Sequence, residues 1–336
     1  MVIGNWTQSP IGNKIFISYI FKKYILKNLT KIIKIILFKM EKGKTTLRLY
    51  YPVWQGGMSP AIAESAPFIK MLVPQGNNCE TVEVPISKDY GKEKEFRNDI
   101  NEPSILLKQI QAAEIILDIK QPEKIITLGG DCSSSQVPFD YLHGKYGDSV
   151  GIIWMDAHPD ISTPKELHNE HTMVLGNLLG DGAEEFAKPV KNKYCYNKVM
   201  YAGLVYEGAF DYEKEYITKN KIRYATPEDL KENSDKIIKW IKEEGIKYLC
   251  IHWDLDVLSP EDFRSIFSAE PVKEGEKNEY ADFGYAIGKM KFTQAVRMIC
   301  DVSKEAKLVG LTIAEYKPWD IYYIRNELKK IDIIND

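Results

Sequence analysis

Residues 149–160 read SVGIIWMDAHPD, an apolar run that ends in acidic and imidazole side chains. So few polar residues within a strand are typical of a parallel sheet that is buried on both faces. Comparable runs are KIITLGG (124–130), KYLCIHWDLD (247–256) and KLVGLTIAE (307–315). Helical patterns separate them, including SILLKQIQAAEIILDIK (104–120), PEDLKENSDKIIKWIKEEG (227–245) and FTQAVRMICDVSKEA (292–306). This alternation predicts an α/β fold in which helices cover both faces of a parallel sheet.

The composition of the 336-residue chain is that of an ordinary globular protein, with 44% hydrophobic and 28% charged residues. A net charge of −3 provides no basic footprint, so we expect no nucleic-acid partner. The cysteines are five in number, widely spaced and without a CxxC pair. They predict a reducing, cytoplasmic location rather than a disulfide framework.

The first 39 residues differ from the rest because they consist mostly of Ile, Phe, Leu, Tyr and Lys. Within residues 15–39 the longest uncharged run, Ile15 to Phe21, is far shorter than the ~20 residues that span a bilayer, so we expect no membrane insertion. An amphipathic surface helix is one interpretation of this segment. We favour a translated upstream segment, residues 1–39, outside the native domain. Residues 40–336, beginning at Met40, then form a single domain.

Polar side chains follow the apolar strands where ligands bind to parallel sheets, at the carboxyl ends. They are Asp131 and Cys132, then Asp156, His158 and Asp160, then Asp254 and Asp256, and finally Glu315. Acids gathered beside apolar strands repel one another and resist desolvation unless a cation neutralises them. The sequence therefore predicts a bound metal.

The spacing within two of these sets indicates more than one ion. Residues 156, 158 and 160 alternate, as do 254 and 256, so each set can turn toward one point. Carboxylates with an imidazole suit a divalent ion such as Mn²⁺. The four carboxylates and one imidazole of these two sets are too many ligands for one ion that keeps a coordination position open. Two metals bridged by carboxylates account for them better. The alternative, that the acids only cap helices, explains a single strand-end Asp more readily than two alternating sets.

The motifs GGDCS, DAHPD, DLDVLSP and GLTIAEY, in this order, resemble those of the ureohydrolase superfamily of arginases and agmatinases. The resemblance extends from about Leu47 to the C-terminus. It implies an arginase-like three-layer α/β/α fold with a mostly parallel sheet, and two divalent metal ions, most commonly Mn²⁺. It also implies six metal ligands: Asp156 and Asp254 bridging both ions, Cys132 and Asp160 completing one site, and His158 and Asp256 completing the other.

The same resemblance implies a reaction in which a metal-bridging hydroxide attacks a guanidinium carbon and releases urea and an amine. The implied catalytic residues are His171, Glu315 and Asp160. Glu315 would pair with the guanidinium, and His171 would carry a proton to the leaving amine. His168 is an alternative proton shuttle, and His171 is otherwise a surface loop residue. The family also implies a homo-oligomer, a trimer or hexamer.

Two residues depart from the family pattern near the expected metals. Cys132 stands where the family has a histidine, so the first site either prefers a softer ion such as Zn²⁺, Fe²⁺ or Co²⁺, or is weakly occupied without ligation. A role for Cys132 as covalent nucleophile is not expected, because the hydroxide already fills it. His252 stands where the family commonly has serine. It either orients Asp254, compensates for the missing histidine, or is a core histidine.

The expected substrate loops also depart from the arginase pattern, so the sequence does not assign L-arginine. Ser162 replaces an asparagine and is, with Glu315, a candidate substrate contact. Glu166 and Glu170 could attract a cationic tail and Lys165 a carboxylate, unless all three are solvated loop charges. The small-molecule substrate is therefore a guanidino compound or another amidino compound, such as formimidoylglutamate, a guanidino acid or hydroxyarginine. A catalytically silent homologue with a binding or subunit role is the remaining alternative.

Overall fold

In the computed structural model, the described residues are 46–88, 94–271 and 284–335, which lie in one compact unit that begins at Thr46. The predicted extension, residues 1–39, and the proposed start at Met40 lie outside the described residues. None of the described helices is long and apolar enough to cross a membrane.

The described part of the chain contains a sheet of eight strands in which every neighbouring pair is parallel. Its strands are β1 (Thr46–Tyr50), β2 (Cys79–Glu83), β5 (Lys124–Leu128), β6 (Val150–Met155), β7 (Val199–Ala202), β8 (Arg223–Ala225), β9 (Tyr248–Asp254) and β10 (Lys307–Ala314). Their order across the sheet is β2-β1-β5-β10-β9-β6-β7-β8. Two further short strands, β3 (Phe96–Arg97) and β4 (Ile100–Asn101), form an antiparallel pair.

Helices cover the two faces of this sheet, as the sequence predicts. One face packs against α2 (Pro103–Lys120), α3 (Gln136–Tyr146), α4 (Val174–Leu179), α5 (Glu184–Ala187) and α6 (Asp211–Asn220). The other face packs against α1 (Pro60–Leu72), α7 (Asp235–Glu243) and α8 (Phe292–Glu305). The chain continues through α9 (Trp319–Leu328) and α10 (Asp332–Asn335). The predicted three-layer α/β/α fold is confirmed.

Strand β6 shows why both faces need helices. Its side chains alternate between the two cores, with Ile152 and Trp154 in one and Ile153 and Met155 in the other. All four are fully buried. Because burying a large apolar side chain contributes roughly 1.5–3 kcal/mol, a strand of this composition is stable only between two apolar layers.

The predicted helix over residues 227–245 is shorter than its pattern indicates. Residues 227–230 form a turn and residues 231–234 are irregular, so α7 begins only at Asp235. The Asp229 carboxylate accepts hydrogen bonds from the Thr226 backbone N–H and hydroxyl, both at 2.8 Å. Such local side-chain bonds offer the backbone an alternative to a helix.

The carboxyl ends of four adjacent strands, β5, β10, β9 and β6, form the centre of one sheet edge. The turn after β5 is built on Gly130, whose φ of +93° lies in the left-handed region. The Gly130 carbonyl accepts the Glu315 backbone N–H at 3.0 Å, and the Asp131 N–H donates to the Val53 carbonyl at 2.9 Å. This turn therefore holds the chain ends of β5 and β10 together.

Replacing Gly130 by alanine should destabilise the protein strongly. The left-handed φ costs an L-residue about 1–2 kcal/mol, and the added Cβ would lie 2.4 Å from the Tyr51 carbonyl oxygen, a backbone atom. We expect a loss of about 3 kcal/mol or more in the free energy of unfolding, measured by urea denaturation. Gly245→Ala is the matched control, because Gly245 also has positive φ but no atom lies near its Cβ position. Equal losses for both variants would contradict this explanation.

Candidate metal centre and its cavity

A cavity of about 420 Å³ opens above the carboxyl ends of the central strands. Its floor includes the predicted site residues Cys132, His158, Asp160, Asp254, Asp256 and Glu315. Its walls include Ser162, His168 and His171 from the loop after β6, and Phe210, Glu213, Phe267, Tyr285 and Lys317 from other segments. The structure thus brings the side chains that follow four separate strands into one pocket.

The first group of potential metal ligands comprises Cys132, Asp156, His252 and Asp254. One ligand atom from each lies within 4.8 Å of the others, and all four residues are buried. The Cys132 thiol donates to Oδ2 of Asp254 at 3.1 Å. Burial and the nearby Asp160 and Asp254 raise the pKa of Cys132 well above its usual value. Without a cation, this cysteine is therefore a neutral thiol rather than an activated nucleophile.

The second group comprises Asp156, His158 and Asp256. The His158 Nδ1 atom lies 3.1 Å from Oδ2 of Asp256 and 3.4 Å from Oδ1 of Asp156. Asp156 belongs to both groups, with Oδ1 near His158 and Oδ2 3.9 Å from Nε2 of His252. A carboxylate placed between two ligand sets is suited to bridging two ions.

His252 is buried under the first group and is oriented by two contacts. Its ring stacks on Trp154, with the ring centroids 3.8 Å apart, and its Nδ1 lies 2.7 Å from the Ser135 hydroxyl. Burial lowers the pKa of His252 to about 3, so the imidazole is neutral. Its Nε2 atom makes no hydrogen bond within the described residues. Ligation through Nε2 requires the tautomer in which Nδ1–H donates to Ser135.

Asp160 lines the cavity but belongs to neither of these groups. Its backbone is in the left-handed region, with φ +48°, and its buried Oδ2 has no hydrogen-bond partner among the described residues. Burial and the Asp156 charge raise the pKa of Asp160 well above its usual value. Positive φ values at non-glycine residues are often associated with functional sites.

The electrostatics of the cluster favour a bound cation. Burial, followed by the charges of Asp256 and Asp156, raises the pKa of Asp254 well above its usual value. Burial likewise raises the pKa of Asp256, although His158 opposes that shift. These upward shifts, the unpartnered Oδ2 of Asp160 and the unpartnered Nε2 of His252 all fit a pair of divalent metal ions.

Glu315 and His171 lie on the cavity side of the ligands and form a third group with Cys132. The His171 Nδ1 atom lies 3.4 Å from Oε1 of Glu315. Burial lowers the pKa of His171, but the neighbouring carboxylates of Glu315 and Asp131 outweigh it, and the net shift is upward. Glu315 also has a left-handed backbone, with φ +60°. An imidazole poised beside a carboxylate is suited to proton transfer.

The arginase family model matches residues 77–272, more than half of the chain. The chain belongs to the arginase family. It is 26% identical to the arginase of Entamoeba histolytica over 205 residues, which cover 58% of this chain and 62% of that protein. It is 28% identical to the arginase of Bacillus subtilis over 221 residues, 61% of this chain and 71% of that one. The aligned part therefore spans about three fifths of the length of the first relative.

Solved structures of similar fold can be superposed on most of this chain. The structure of Entamoeba histolytica arginase in complex with L-ornithine superposes with a TM-score of 0.66, at 18% identity, over 81% of this chain and 91% of that one. The structure of Trypanosoma cruzi formiminoglutamase with Mn²⁺ gives 0.59, at 13% identity, over 83% and 87%. At these identities the likeness concerns the fold alone.

Of the other predicted residues of this arginase-family chain, two line the cavity and two do not. Ser162 is buried on the cavity wall, where its hydroxyl lies 2.8 Å from that of Tyr212. His168 lies at the rim, exposed, with Nδ1 2.9 Å from the Asp99 carbonyl oxygen. The expectation that Glu170 attracts a cationic tail is wrong, because Glu170 is buried and accepts a hydrogen bond from Asn177 at 2.9 Å. Lys165 is exposed and does not line the cavity.

Sequence reasoning missed several cavity residues of this family member. Lys317 and Glu213 are buried and polar, whereas Phe210, Phe267 and Tyr285 form aromatic walls. Lys317 had a detectable signal, since it lies two residues after Glu315 in IAEYKP, beyond a strand end. Phe210 and Glu213 follow β7, and Phe267 and Tyr285 lie between β9 and α8, where no acidic strand-end motif marks them.

Metal binding should stabilise the folded protein measurably. At 100 times its dissociation constant, a ligand of the native state adds about 2.7 kcal/mol, or about 5 °C in Tm for a domain of this size. We expect Mn²⁺ to raise Tm by at least this amount in a thermal melt, and Asp254→Asn to abolish most of the increase. Asp148→Asn, at an exposed acid, is the control and should respond like the wild type. A shift that is equal in all three proteins would count against the assigned centre.

Proposed function

We propose that this chain is a metal-dependent hydrolase that cleaves a C–N bond of a guanidino or other amidino group. The observation that carries the proposal is the shared position of Asp156 between two ligand groups, whose members Cys132, His158, Asp254 and Asp256 line one cavity. Two ligand sets joined by a carboxylate are the arrangement needed for a pair of metal ions. The proposed products with a guanidino substrate are urea and an amine.

The proposed metal ligands follow from this arrangement. One ion would be held by Cys132, Asp156 and Asp254, together with either Asp160 or His252. The second ion would be held by Asp156, His158, Asp254 and Asp256. Backbone N–H groups fix two of the carboxylates, since His158 donates to Asp156 at 2.7 Å and Asp256 donates to Asp254 at 2.6 Å. The second oxygen of Asp156 accepts the Trp154 indole N–H at 3.1 Å, and that of Asp254 accepts the Cys132 thiol, which a metal at this position would deprotonate.

When bound, the ions would supply a water activated at neutral pH and positive charge to stabilise the transition state. The Glu315 carboxylate, on the cavity side, would pair with the positively charged amidino group and orient its carbon toward the centre. His171 lies 3.4 Å from Glu315 and is therefore within reach of the leaving nitrogen. Since its pKa is shifted upward, His171 can carry a proton near neutral pH and donate it to the leaving amine.

We propose Mn²⁺ as the usual ion at the site of His158, because its ligands are carboxylates and one imidazole. The site of Cys132 contains a potential thiolate, which favours softer ions such as Zn²⁺, Fe²⁺ or Co²⁺. A metal would supply the charge that converts the buried thiol into a thiolate. Binding of Co²⁺ with an S-to-metal charge-transfer band, lost in Cys132→Ala, would be the spectroscopic sign of that ligation.

We also propose, from family relationship, a cytoplasmic homo-oligomer, a trimer or hexamer. All five cysteines are free, which fits a reducing compartment. Light scattering of the purified protein measures the oligomeric state directly.

The function is tested by measuring urea release from the metal-loaded protein with arginine, agmatine, 4-guanidinobutyrate and hydroxyarginine, and formamide release from formimidoylglutamate. We expect one of these to be hydrolysed, and His171→Asn to lower kcat about 10²–10⁴-fold while both metals stay bound. His168→Asn separates the two candidate shuttles, and a larger loss in that variant would assign the role to His168. No product from any compound, with fewer than two bound metals, would favour the silent homologue.

Metal content distinguishes the roles of the two residues that depart from the family pattern. Because Cys132 and His252 belong to the same four-residue group, we expect Cys132→Ala and His252→Ala each to retain one tightly bound ion instead of two. Elemental analysis of dialysed protein gives the count. Cys250→Ala is the matched control, since Cys250 is also buried on the sheet but belongs to none of the ligand groups. Two equivalents retained in both test variants would refute ligation by either residue.

A further inference from the structure

Lys317 is a buried cation in the cavity that the proposed reaction does not use. Only 4% of the residue is exposed, and its side chain lines the cavity beside Glu315. The Nζ atom lies 3.8 Å from Oε2 of Glu315 and 4.0 Å above the centre of the Phe267 ring. Neither contact is a hydrogen bond, and Nζ makes none with the described residues. The Nζ atom faces the cavity, where acceptor atoms of a ligand can reach its three donors.

The position of Lys317 is fixed by the backbone around it. Its N–H donates to the Ser265 carbonyl at 2.9 Å, and the indole N–H of Trp319 donates to the Ile266 carbonyl at 2.6 Å. These two bonds hold the segment after β10 against the segment that carries Phe267. The ammonium is therefore held at the cavity wall rather than extended into solvent.

The other charges of the cavity show what Lys317 is suited to bind. The acids on the floor, Asp160, Asp254 and Asp256, are proposed metal ligands, and Glu315 is the partner of the amidino group. Glu213, the remaining cavity acid, accepts the Phe210 backbone N–H at 2.8 Å at the start of α6. Among its described residues the cavity therefore offers an ammonium tail one carboxylate outside the proposed site, that of Glu213, and one of its oxygens already accepts a backbone N–H. It offers one cation with unfilled donors.

We propose that Lys317 is a specificity-determining residue that binds an anionic group, a carboxylate, on the amidino substrate. This inference rests on the proposed function and narrows its substrate class to amidino acids rather than amidino amines. The Glu315 carboxylate and the Lys317 ammonium form an adjacent pair of opposite charges. A substrate with a cationic amidino group and a carboxylate matches both, and its carboxylate satisfies the donors of Lys317.

The test compares 4-guanidinobutyrate with agmatine, two guanidino compounds of similar length whose tails carry opposite charges. We expect kcat/KM of the metal-loaded wild type to favour 4-guanidinobutyrate at least tenfold. Lys317→Met should lower kcat/KM for 4-guanidinobutyrate about 10–100-fold, mainly through a higher KM. The same variant should leave kcat/KM for agmatine unchanged or raise it. Lys317→Arg keeps the charge and should retain the preference. Lys165→Met, at an exposed lysine outside the cavity, is the matched control and should leave kcat/KM for both compounds unchanged.

Calorimetric binding of the same two compounds to the metal-loaded His171→Asn protein separates this inference from the proposed reaction. Charge-selective binding that Lys317→Met removes, without turnover of any compound, would support the role of Lys317 and reject the proposed hydrolysis. A preference for agmatine would overturn the inference. An equal loss of both compounds in Lys317→Met would also overturn it, because a residue that only positions Glu315 affects both.

Discussion

Repulsion among buried carboxylates at one edge of the sheet is the constraint on which the site depends. Asp156 and Asp254 lie at the ends of neighbouring strands, almost without contact with solvent. Charges in so dry a setting interact strongly, and each carboxylate loses its hydration. Backbone N–H groups at the strand ends offset only part of this cost. Protonation offsets the rest in the absence of a cation, as the raised pKa values of Asp254 and Asp256 indicate, and a bound cation would couple metal binding to the folding of this edge.

The fold meets this constraint with rigid local geometry. Asp160 and Glu315 both have left-handed backbones, which ordinary residues adopt only when the surroundings enforce them. The Asp160 carbonyl accepts the Gly176 N–H at 3.1 Å, and the Glu315 N–H donates to Gly130 at 3.0 Å. Each bond joins a site residue to a different segment. The strand-end acids are therefore positioned by the whole sheet edge and not by their own turns.

Much of this arrangement could be predicted from residue patterns. The apolar runs correspond to strands β5, β6, β9 and β10, and residues that follow each of them line one cavity, although Asp131 and Asp156 are fully buried outside its lining. The predictions from sequence failed where local side-chain hydrogen bonds or long-range packing decide the conformation of a segment. Residues 227–234 carry a helical pattern, but the Asp229 carboxylate holds a turn there. Glu170 has the composition of a loop charge, but tertiary packing buries it against Asn177.

The sequence by itself determined the parallel α/β fold, the family and the set of strand-end acids, because apolar periodicity and motif spacing are local properties. Only the tertiary structure decided which of these side chains share a ligand group. Strand β10 lies between β5 and β9 in the sheet, so the chain after β5 is close to the end of β9. Cys132 therefore meets Asp254 across 122 positions of the chain. The contacts of His252 and Lys317 arise in the same way. Distances between strand ends depend on sheet order, which the linear spacing of residues does not encode.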